Sequence, residues 1–175
     1  MNTQPINKKM RRLGVIAAFL GLGLVANTAS ASILLAKQNV NAQSFAVAQD
    51  LDLDGSLAGI QSEVFFSTTA AGTLVRIIFN AEGTIAGGPG NWLDSTIFVD
   101  NSLTVPVGCA PSNGDNAFVS GAGAATQNDG WVSAATQCFI RITKAGVHGV
   151  SVRMTPHPAA AAWRIDDLSI VIDSQ

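Results

Sequence analysis

Short runs in which apolar and polar residues alternate fill most of the chain after residue 31, and glycine, asparagine, aspartate and proline separate them. The clearest run is Thr73–Asn80, where Val75, Ile77 and Phe79 share one face and Arg76 lies on the other. Alternation with a period of two is typical of strands that bury one face. Turn residues recur roughly every 8–15 positions, which predicts an all-β, antiparallel β-sandwich of about seven or eight strands.

Six further runs complete the predicted sandwich: Glu63–Ser67, Thr96–Asp100, Asn116–Ser120, Gln137–Thr143, Gly146–Met154 and Ala162–Asp173. The short turn before Gly146 predicts a hairpin between the fourth and fifth of these runs. In the fifth run His148 falls on the apolar face, as expected of a core or edge histidine. The last run changes phase at Asp166 and Asp167, where a β-bulge would keep the apolar residues on both sides facing the core. Residues 38–48 fit either an extended arm or a short helix.

A basic, then apolar, then small-residue segment opens the chain. Four lysines and arginines lie in residues 8–12, Leu13–Ala26 is apolar, and residues 29–31 read Ala-Ser-Ala. The apolar stretch is shorter than the ~20 residues that cross a bilayer. We therefore expect an export signal that is cleaved after Ala31, with a membrane anchor as the alternative.

Export sets the expected organisation and location. We predict a signal peptide over residues 1–31, an N-terminal arm and first strand over 32–62, and a jelly-roll sandwich over 63–175 that forms one domain with the arm. The cleaved protein would hold no membrane segment and would be secreted, either to the periplasm or to the cell exterior.

The charge balance of the chain excludes some classes of binding partner. The chain carries ten lysines and arginines against twelve aspartates and glutamates. Because four of the basic residues and none of the acidic ones lie in residues 1–31, the remainder has six basic against twelve acidic residues, a net charge of −6. An acidic chain with scattered cations lacks the basic footprint that nucleic acid or an anionic membrane requires.

Cys109 and Cys138 are the two cysteines of the chain. An even number of cysteines in an exported protein predicts a disulfide, and two buried thiols are the alternative. Two cysteines and two distant histidines do not have the spacing of a zinc site.

Four stretches resemble small secreted bacterial jelly-roll domains: TLVRIIFNAEG, TIFVDN, AGVHGVSVRMTP and WRIDDLSIVI. The Gly-x-His-x-Val-x-Val pattern of residues 146–152 is similar to C1q/TNF-like folds. The Ile-Asp-Asp-Leu-Ser ending is similar to the last strand of many carbohydrate-module jelly rolls. The resemblance covers residues 63–173 and implies a jelly-roll fold. It transfers no functional residue.

The acidic run DLDLDG at residues 50–55 is the clearest chemical signal. Alternate carboxylates followed by glycine match the first half of a calcium loop, because Ca²⁺ takes six to eight oxygen ligands and glycine permits a sharp turn. An EF-hand-like loop would need its last glutamate two residues before Glu63. The alternative is a strand with leucines inward and aspartates outward, ending in an Asp-Gly turn. The sequence thus leaves open calcium held by Asp50, Asp52 and Asp54.

Trp92 and Trp131 are the candidate ligand-binding aromatics, since each follows a glycine-containing loop. A tryptophan in such a loop can stack on a sugar ring or anchor a protein partner. Trp163 shares the parity of Ile165 and is expected in the core.

The sequence contains neither a nucleophile-and-base motif nor a phosphate-binding glycine loop before a helix, so no catalytic residue is predicted and an enzyme is not expected.

Two function classes follow from these patterns. The first, which we prefer at this stage, is a non-enzymatic structural or surface/extracellular-matrix protein that forms a homo-oligomer or binds another protein. The charge-poor composition and the C1q/TNF-like resemblance support it. The second is a glycan-binding module, with calcium as an optional cofactor, which the acidic run and the loop tryptophans support. The complete absence of tyrosine counts against the second class.

Overall fold

Eleven β-strands make up the regular structure of the part of the chain that is described. The computed structural model describes residues 31–56, 63–102, 105–109, 117–123 and 130–175. The predicted signal peptide lies outside these residues except for Ala31. Within the described ranges, no helix has the length and apolar character needed to cross a membrane.

The strands, in chain order, are β1 (Ser32–Asn39), β2 (Gln43–Phe45), β3 (Gln49–Asp50), β4 (Val64–Thr68), β5 (Leu74–Ile85), β6 (Trp92–Ser102), β7 (Val105–Gly108), β8 (Ala117–Ser120), β9 (Val132–Arg141), β10 (Gly146–His157) and β11 (Trp163–Ser174). Each predicted run corresponds to a strand, and the structure adds β1, β2, β3 and β7. The segment at residues 38–48, which the sequence left open, contains the end of β1 and the whole of β2.

Two antiparallel sheets form a sandwich. Sheet A has the strand order β1-β11-β5-β9, and β2 pairs with the first part of β11. Sheet B has the order β3-β10-β6-β7, with β4 also paired to β10 and β8 also paired to β6. The N-terminal strands contribute to both sheets. The prediction of an antiparallel β-sandwich of jelly-roll type is confirmed.

Strict alternation on the long strands builds the core between the sheets. On β5, Val75, Ile77 and Phe79 have no exposed surface. Burial of such side chains stabilises the fold by roughly 1.5–3 kcal/mol each. A polar contact also bridges the core, because the hydroxyls of Ser95 on β6 and Thr136 on β9 lie 2.6 Å apart.

The predicted β-bulge on the last strand is confirmed. The register between β11 and β5 shifts between Asp166 and Ser169, and Asp167 has a φ of 46°. The shift lets Trp163 and Leu168, which have different parities, both face the core, where each is almost fully buried. The predicted core position of Trp163 is therefore confirmed as well.

The predicted environment of His148 is also confirmed, since the residue is 6% exposed. Its Nδ1 lies 2.7 Å from Oδ2 of Asp100, and its Nε2 lies 3.1 Å from the carbonyl oxygen of Lys144. The histidine therefore ties β10 to the end of β6 and to the turn that precedes β10.

The hairpin predicted between β9 and β10 is wrong. β9 pairs with β5 in sheet A, whereas β10 pairs with β4 and β6 in sheet B. Ile142 continues the path along sheet A, because its N–H donates to Thr73. The chain then crosses to sheet B. A short turn between two strands of alternating apolar and polar residues is compatible with a hairpin and with a connection between the two sheets. Both strands bury one face in either case.

The predicted disulfide between Cys109 and Cys138 is confirmed, with Cα atoms 5.6 Å apart. Cys138 lies on β9, in sheet A, and faces the core. Cys109 directly follows β7, and its N–H donates to Ile97 of β6 in sheet B. Both residues are fully buried. The bond therefore links the two sheets across the core.

We expect the double variant Cys109→Ala/Cys138→Ala to lose about 3–4 kcal/mol of unfolding free energy, the chain-entropy value for a loop of this length. Chemical denaturation measures this loss. As a control, the non-reduced wild-type protein should incorporate no thiol label after denaturation. Two labelled cysteines, or an unchanged free energy, would contradict the bridge.

Candidate functional site

The outward side of sheet B carries a continuous row of polar and aromatic side chains. Inward residues of β6 and β10, such as Leu93, Ile97 and Met154, are fully buried against sheet A. The residues between them point outward, because side chains alternate along a strand. We call the following four cross-strand pairs the β6–β10 face: Trp92–His157, Asp94–Thr155, Thr96–Arg153 and Phe98–Ser151. None of the eight residues is aliphatic.

Several polar residues of this face are buried although they lie on the outside of a sheet. Asp94 is 6% exposed and Ser151 is 3% exposed. Asp50, which pairs with Arg153 across β3 and β10, is 5% exposed. Buried carboxylates need compensating hydrogen bonds or charges. Asp50 contacts the guanidinium of Arg153, and Asp94 contacts the imidazole of His157.

Asp50 and Arg153 form a bidentate ion pair. Nε of Arg153 lies 2.5 Å from Oδ1 of Asp50, and Nη2 lies 3.0 Å from Oδ2. The guanidinium also lies 5.6 Å from the ring centroid of Phe98. The hydrogen bond to Asp50 raises the pKa of Arg153, an effect that burial opposes. The pair therefore holds a charged guanidinium in one orientation beside an aromatic ring.

Trp92, His157 and Asp94 form a second cluster, at the end of the face where β6 begins. The rings of Trp92 and His157 are stacked, with centroids 4.7 Å apart and planes 11° apart. Nε2 of His157 lies 2.7 Å from Oδ2 of Asp94. Trp92 and His157 are partly exposed, and the carboxylate lies beneath them. The buried aspartate thus fixes the histidine, and the histidine supports one face of the indole ring.

At its other end the face continues onto β4. Phe65 is 59% exposed and lies opposite Gly149 of β10. A Cβ atom on Gly149 would lie 2.7 Å from Oε2 of Glu63 and 3.3 Å from the ring of Phe65. The glycine therefore allows these two side chains to lie close over the sheet. From Trp92 to Phe98 the face extends about 20 Å at ~3.3 Å per residue.

The structure separates the two tryptophans that the sequence singled out. Trp92 is the first residue of β6, so it lies directly after the glycine-containing loop and not within it. Trp131 precedes β9 in sheet A, and its ring lies 5.4 Å from the guanidinium carbon of Arg164 on β11. Trp92 therefore lies in sheet B, whereas Trp131 contacts a side chain of sheet A.

Sequence reasoning missed Asp94, Arg153 and His157. The predicted strand began at Thr96, which left Asp94 outside it. In the structure β6, with its alternation of inward and outward side chains, begins at Trp92. The pairing of Arg153 with Asp50 spans 103 residues and has no local signal.

Of the acidic run, Asp50 ends the short strand β3, the N–H of Leu51 donates to Val152 of β10, and the chain then bends at residues 53–54. Leu51 and Leu53 are fully buried. Each carboxylate of the run has a protein partner. Asp50 binds Arg153, Oδ1 of Asp52 accepts the N–H of Gly55, and Oδ1 of Asp54 accepts the N–H of Ser56. Among the described residues no three His, Cys, Asp or Glu side chains group as metal ligands.

An open cleft of about 650 Å³ lies at one end of the sandwich. Its lining is mainly serine, threonine and glycine, with Arg141 donating to the carbonyl of Gly72. It contains no aromatic side chain. The β6–β10 face offers more recognition chemistry, because it carries the rings of Trp92 and Phe98 together with an oriented guanidinium and an oriented imidazole.

No protein-family model matches the chain, and a search of curated proteins found no match. Among solved structures, the chain is similar to the CBM22-1 xylan-binding domain of Xyn10C from Paenibacillus barcinonensis. The two are 10% identical, the match covers 81% of this chain and 94% of that domain, and the TM-score is 0.36. The function proposed below rests on the side chains of the β6–β10 face alone.

Calcium binding at Asp50, Asp52 and Asp54 stays a prediction. A bound ion stabilises the native state, so calcium binding at these residues would give a higher melting temperature in calcium than in EDTA. Asp52→Asn should abolish that difference, because it removes one ligand charge. Equal melting temperatures in the two buffers would leave the acidic run with a purely structural role.

Proposed function

We propose that the protein is an exported, non-catalytic glycan-binding module and that the β6–β10 face is its binding surface. The observation that carries this proposal is the partly exposed indole of Trp92, which stacks on His157, a residue that is itself held by Asp94. A pyranose ring has an apolar C–H face and polar hydroxyls around its edge. A fixed aromatic ring beside directional donors and acceptors complements both features.

Rigidity supports this proposal. The side chains that would touch a sugar are already ordered by partners in the protein: His157 by Asp94, and Arg153 by Asp50 and Phe98. Binding therefore costs little additional side-chain entropy. Thr96 and Thr155 lie between the two ordered clusters and supply hydroxyl groups. The length of the face suits an oligosaccharide better than a single sugar.

The same contacts favour binding over catalysis. Glycoside hydrolysis usually employs two carboxyl groups that flank the bond to be cleaved. The side chains of Asp50 and Asp94 are only 4% and 8% exposed, and each is held by its partner, Arg153 or His157. Neither carboxylate is positioned to reach a bond in a ligand that lies on the face.

We also propose the organisation expected from the sequence: a leader over residues 1–31, removed on export, and one domain over 32–175. The disulfide that joins the two sheets supports an oxidising destination, because such bonds persist mainly outside the cytosol.

We expect Trp92→Ala to weaken glycan binding by about thirtyfold or more, the loss typical of a central aromatic contact of ~2 kcal/mol. Affinity electrophoresis against a panel of neutral and acidic polysaccharides identifies a polysaccharide that binds, and calorimetry gives its dissociation constant. Trp131→Ala is the matched control, because it removes the same side chain from the other sheet. Circular dichroism confirms that both variants fold. Equal loss in both variants, or no loss in either, would contradict the proposed surface.

Self-association is the second candidate function, and the outer face of sheet A favours it. One row of neighbours across this sheet consists of Ile33, Asp173, Arg76 and Phe139. Ile33 is 72% exposed and Phe139 is 43% exposed, on either side of the Arg76–Asp173 ion pair. Exposed apolar residues around an arginine are typical of a protein interface.

If sheet A is such an interface, light scattering should give an oligomer whose mass falls to that of a monomer in the double variant Ile33→Asp/Phe139→Asp. The exposed control Val47→Asp should leave the mass unchanged. A wild-type monomer at all concentrations would remove this second candidate.

A further inference from the structure

We infer that the β6–β10 face selects acidic polysaccharides and binds the carboxylate of a uronic acid residue through the outward edge of the Arg153 guanidinium. This inference rests on the proposed glycan-binding function and specifies its ligand class. It starts from a common feature of the Arg153–Asp50 and His157–Asp94 contacts on this face. In each contact the carboxylate is buried and its nitrogen-bearing partner is partly exposed.

The exposed fractions show this asymmetry. The side chain of Arg153 is 42% exposed and that of Asp50 is 4% exposed. The side chain of His157 is 36% exposed and that of Asp94 is 8% exposed. A ligand on this face therefore meets a guanidinium and an imidazole first. The acidic partners lie behind these groups and orient them.

The guanidinium of Arg153 has a second edge to offer. A guanidinium carries five N–H donors in a planar fork. Nε and Nη2 direct one edge of the fork to Asp50. Within the described residues, Nη1 of Arg153 has no hydrogen-bond partner, so the edge formed by Nη1 and the second hydrogen of Nη2 remains for a ligand. This edge matches a planar carboxylate, which can accept two parallel hydrogen bonds.

Two neighbours make this edge a defined site. The ring of Phe98 lies beside the guanidinium and, with Asp50, fixes its plane. His157 lies four residues farther along β10 on the same side, about 13 Å away at ~3.3 Å per residue. Two acidic units that are separated along one polymer chain can therefore lie at Arg153 and at His157, while the indole of Trp92 contacts a sugar ring at the same end as His157.

Because the chain as a whole is acidic, the selection of an acidic polysaccharide must come from groups on the face itself. A chain with six more acidic than basic residues after residue 31 repels a polyanion at long range. Attraction must come from directional hydrogen bonds at the face. Arg153 should therefore contribute through the geometry of its fork, which a lysine at the same position cannot reproduce.

A matched pair of ligands tests this inference: an oligogalacturonide and its methyl ester, which share the sugar rings and differ in the free carboxylates. We expect the purified wild-type protein to bind the acid about tenfold more tightly than the ester, in line with a charge-assisted hydrogen-bonded pair. Arg153→Gln should reduce the affinity for the acid to that for the ester and leave the ester affinity within about twofold.

Two further variants keep the test decisive. Arg153→Lys retains the positive charge beside Asp50, so it folds even if Arg153→Gln does not, and it should also lose the preference for the acid. Arg141→Gln removes an arginine charge from sheet A and should retain that preference. If Arg153→Lys keeps the full preference, or Arg141→Gln loses it, the assignment to the fork of Arg153 is overturned.

The other outcomes separate this inference from the proposed function. Binding of the ester, or of neutral xylan, as tight as binding of the acid overturns acid selection but leaves glycan binding in place. Equally tight binding of heparin or of polyglutamate overturns recognition of a uronate carboxylate, since it shows attraction to any polyanion. Binding of no polysaccharide overturns both proposals.

Discussion

The pairing of β6 with β10 is the constraint on which the rest of the structure depends. These two long strands lie at the centre of sheet B, and eight consecutive residue pairs join them from Val150–Val99 to His157–Trp92. Every second pair is inward and packs against sheet A. The alternate pairs are outward and form the β6–β10 face. A slip of one residue in this register would exchange the two sets and bury the polar groups of the proposed site in the core. The same register therefore maintains both the fold and the recognition surface.

Burial of two carboxylates on the outside of the sheet is the second feature that connects stability with function. Asp50 and Asp94 are withdrawn from solvent, which is unfavourable unless each charge is compensated. The guanidinium of Arg153 and the imidazole of His157 contact these carboxylates, and the same contacts fix both groups on the surface. A surface arginine without such a partner would sample many rotamers and lose that freedom on binding. The buried acids thus order the groups that would contact a ligand.

The sequence predicted the sandwich well, because alternation, turn residues and the phase change at Asp166 and Asp167 are local signals. The disulfide was also predictable, since two cysteines allow one pairing. The relation between β9 and β10 was not, because a short connection can either form a hairpin or cross the sandwich. The site was predictable only in part. Trp92 stood out by residue type, but its partners depend on pairings between distant strands. For the same reason the sequence did not distinguish Trp92, which lies on the polar face, from Trp131 on the other sheet.

The most direct test of the account is to map ligand contacts on the folded protein by nuclear magnetic resonance. The isotope-labelled protein is titrated with a fragment of the polysaccharide that binds it most tightly, and backbone amide and indole shifts are followed. The account predicts that the largest shift changes fall on β6 and β10, at the indole of Trp92 and around Arg153, with sheet A and Trp131 unaffected. Changes confined to sheet A, or spread evenly over both sheets, would contradict the assignment of the β6–β10 face as the binding surface.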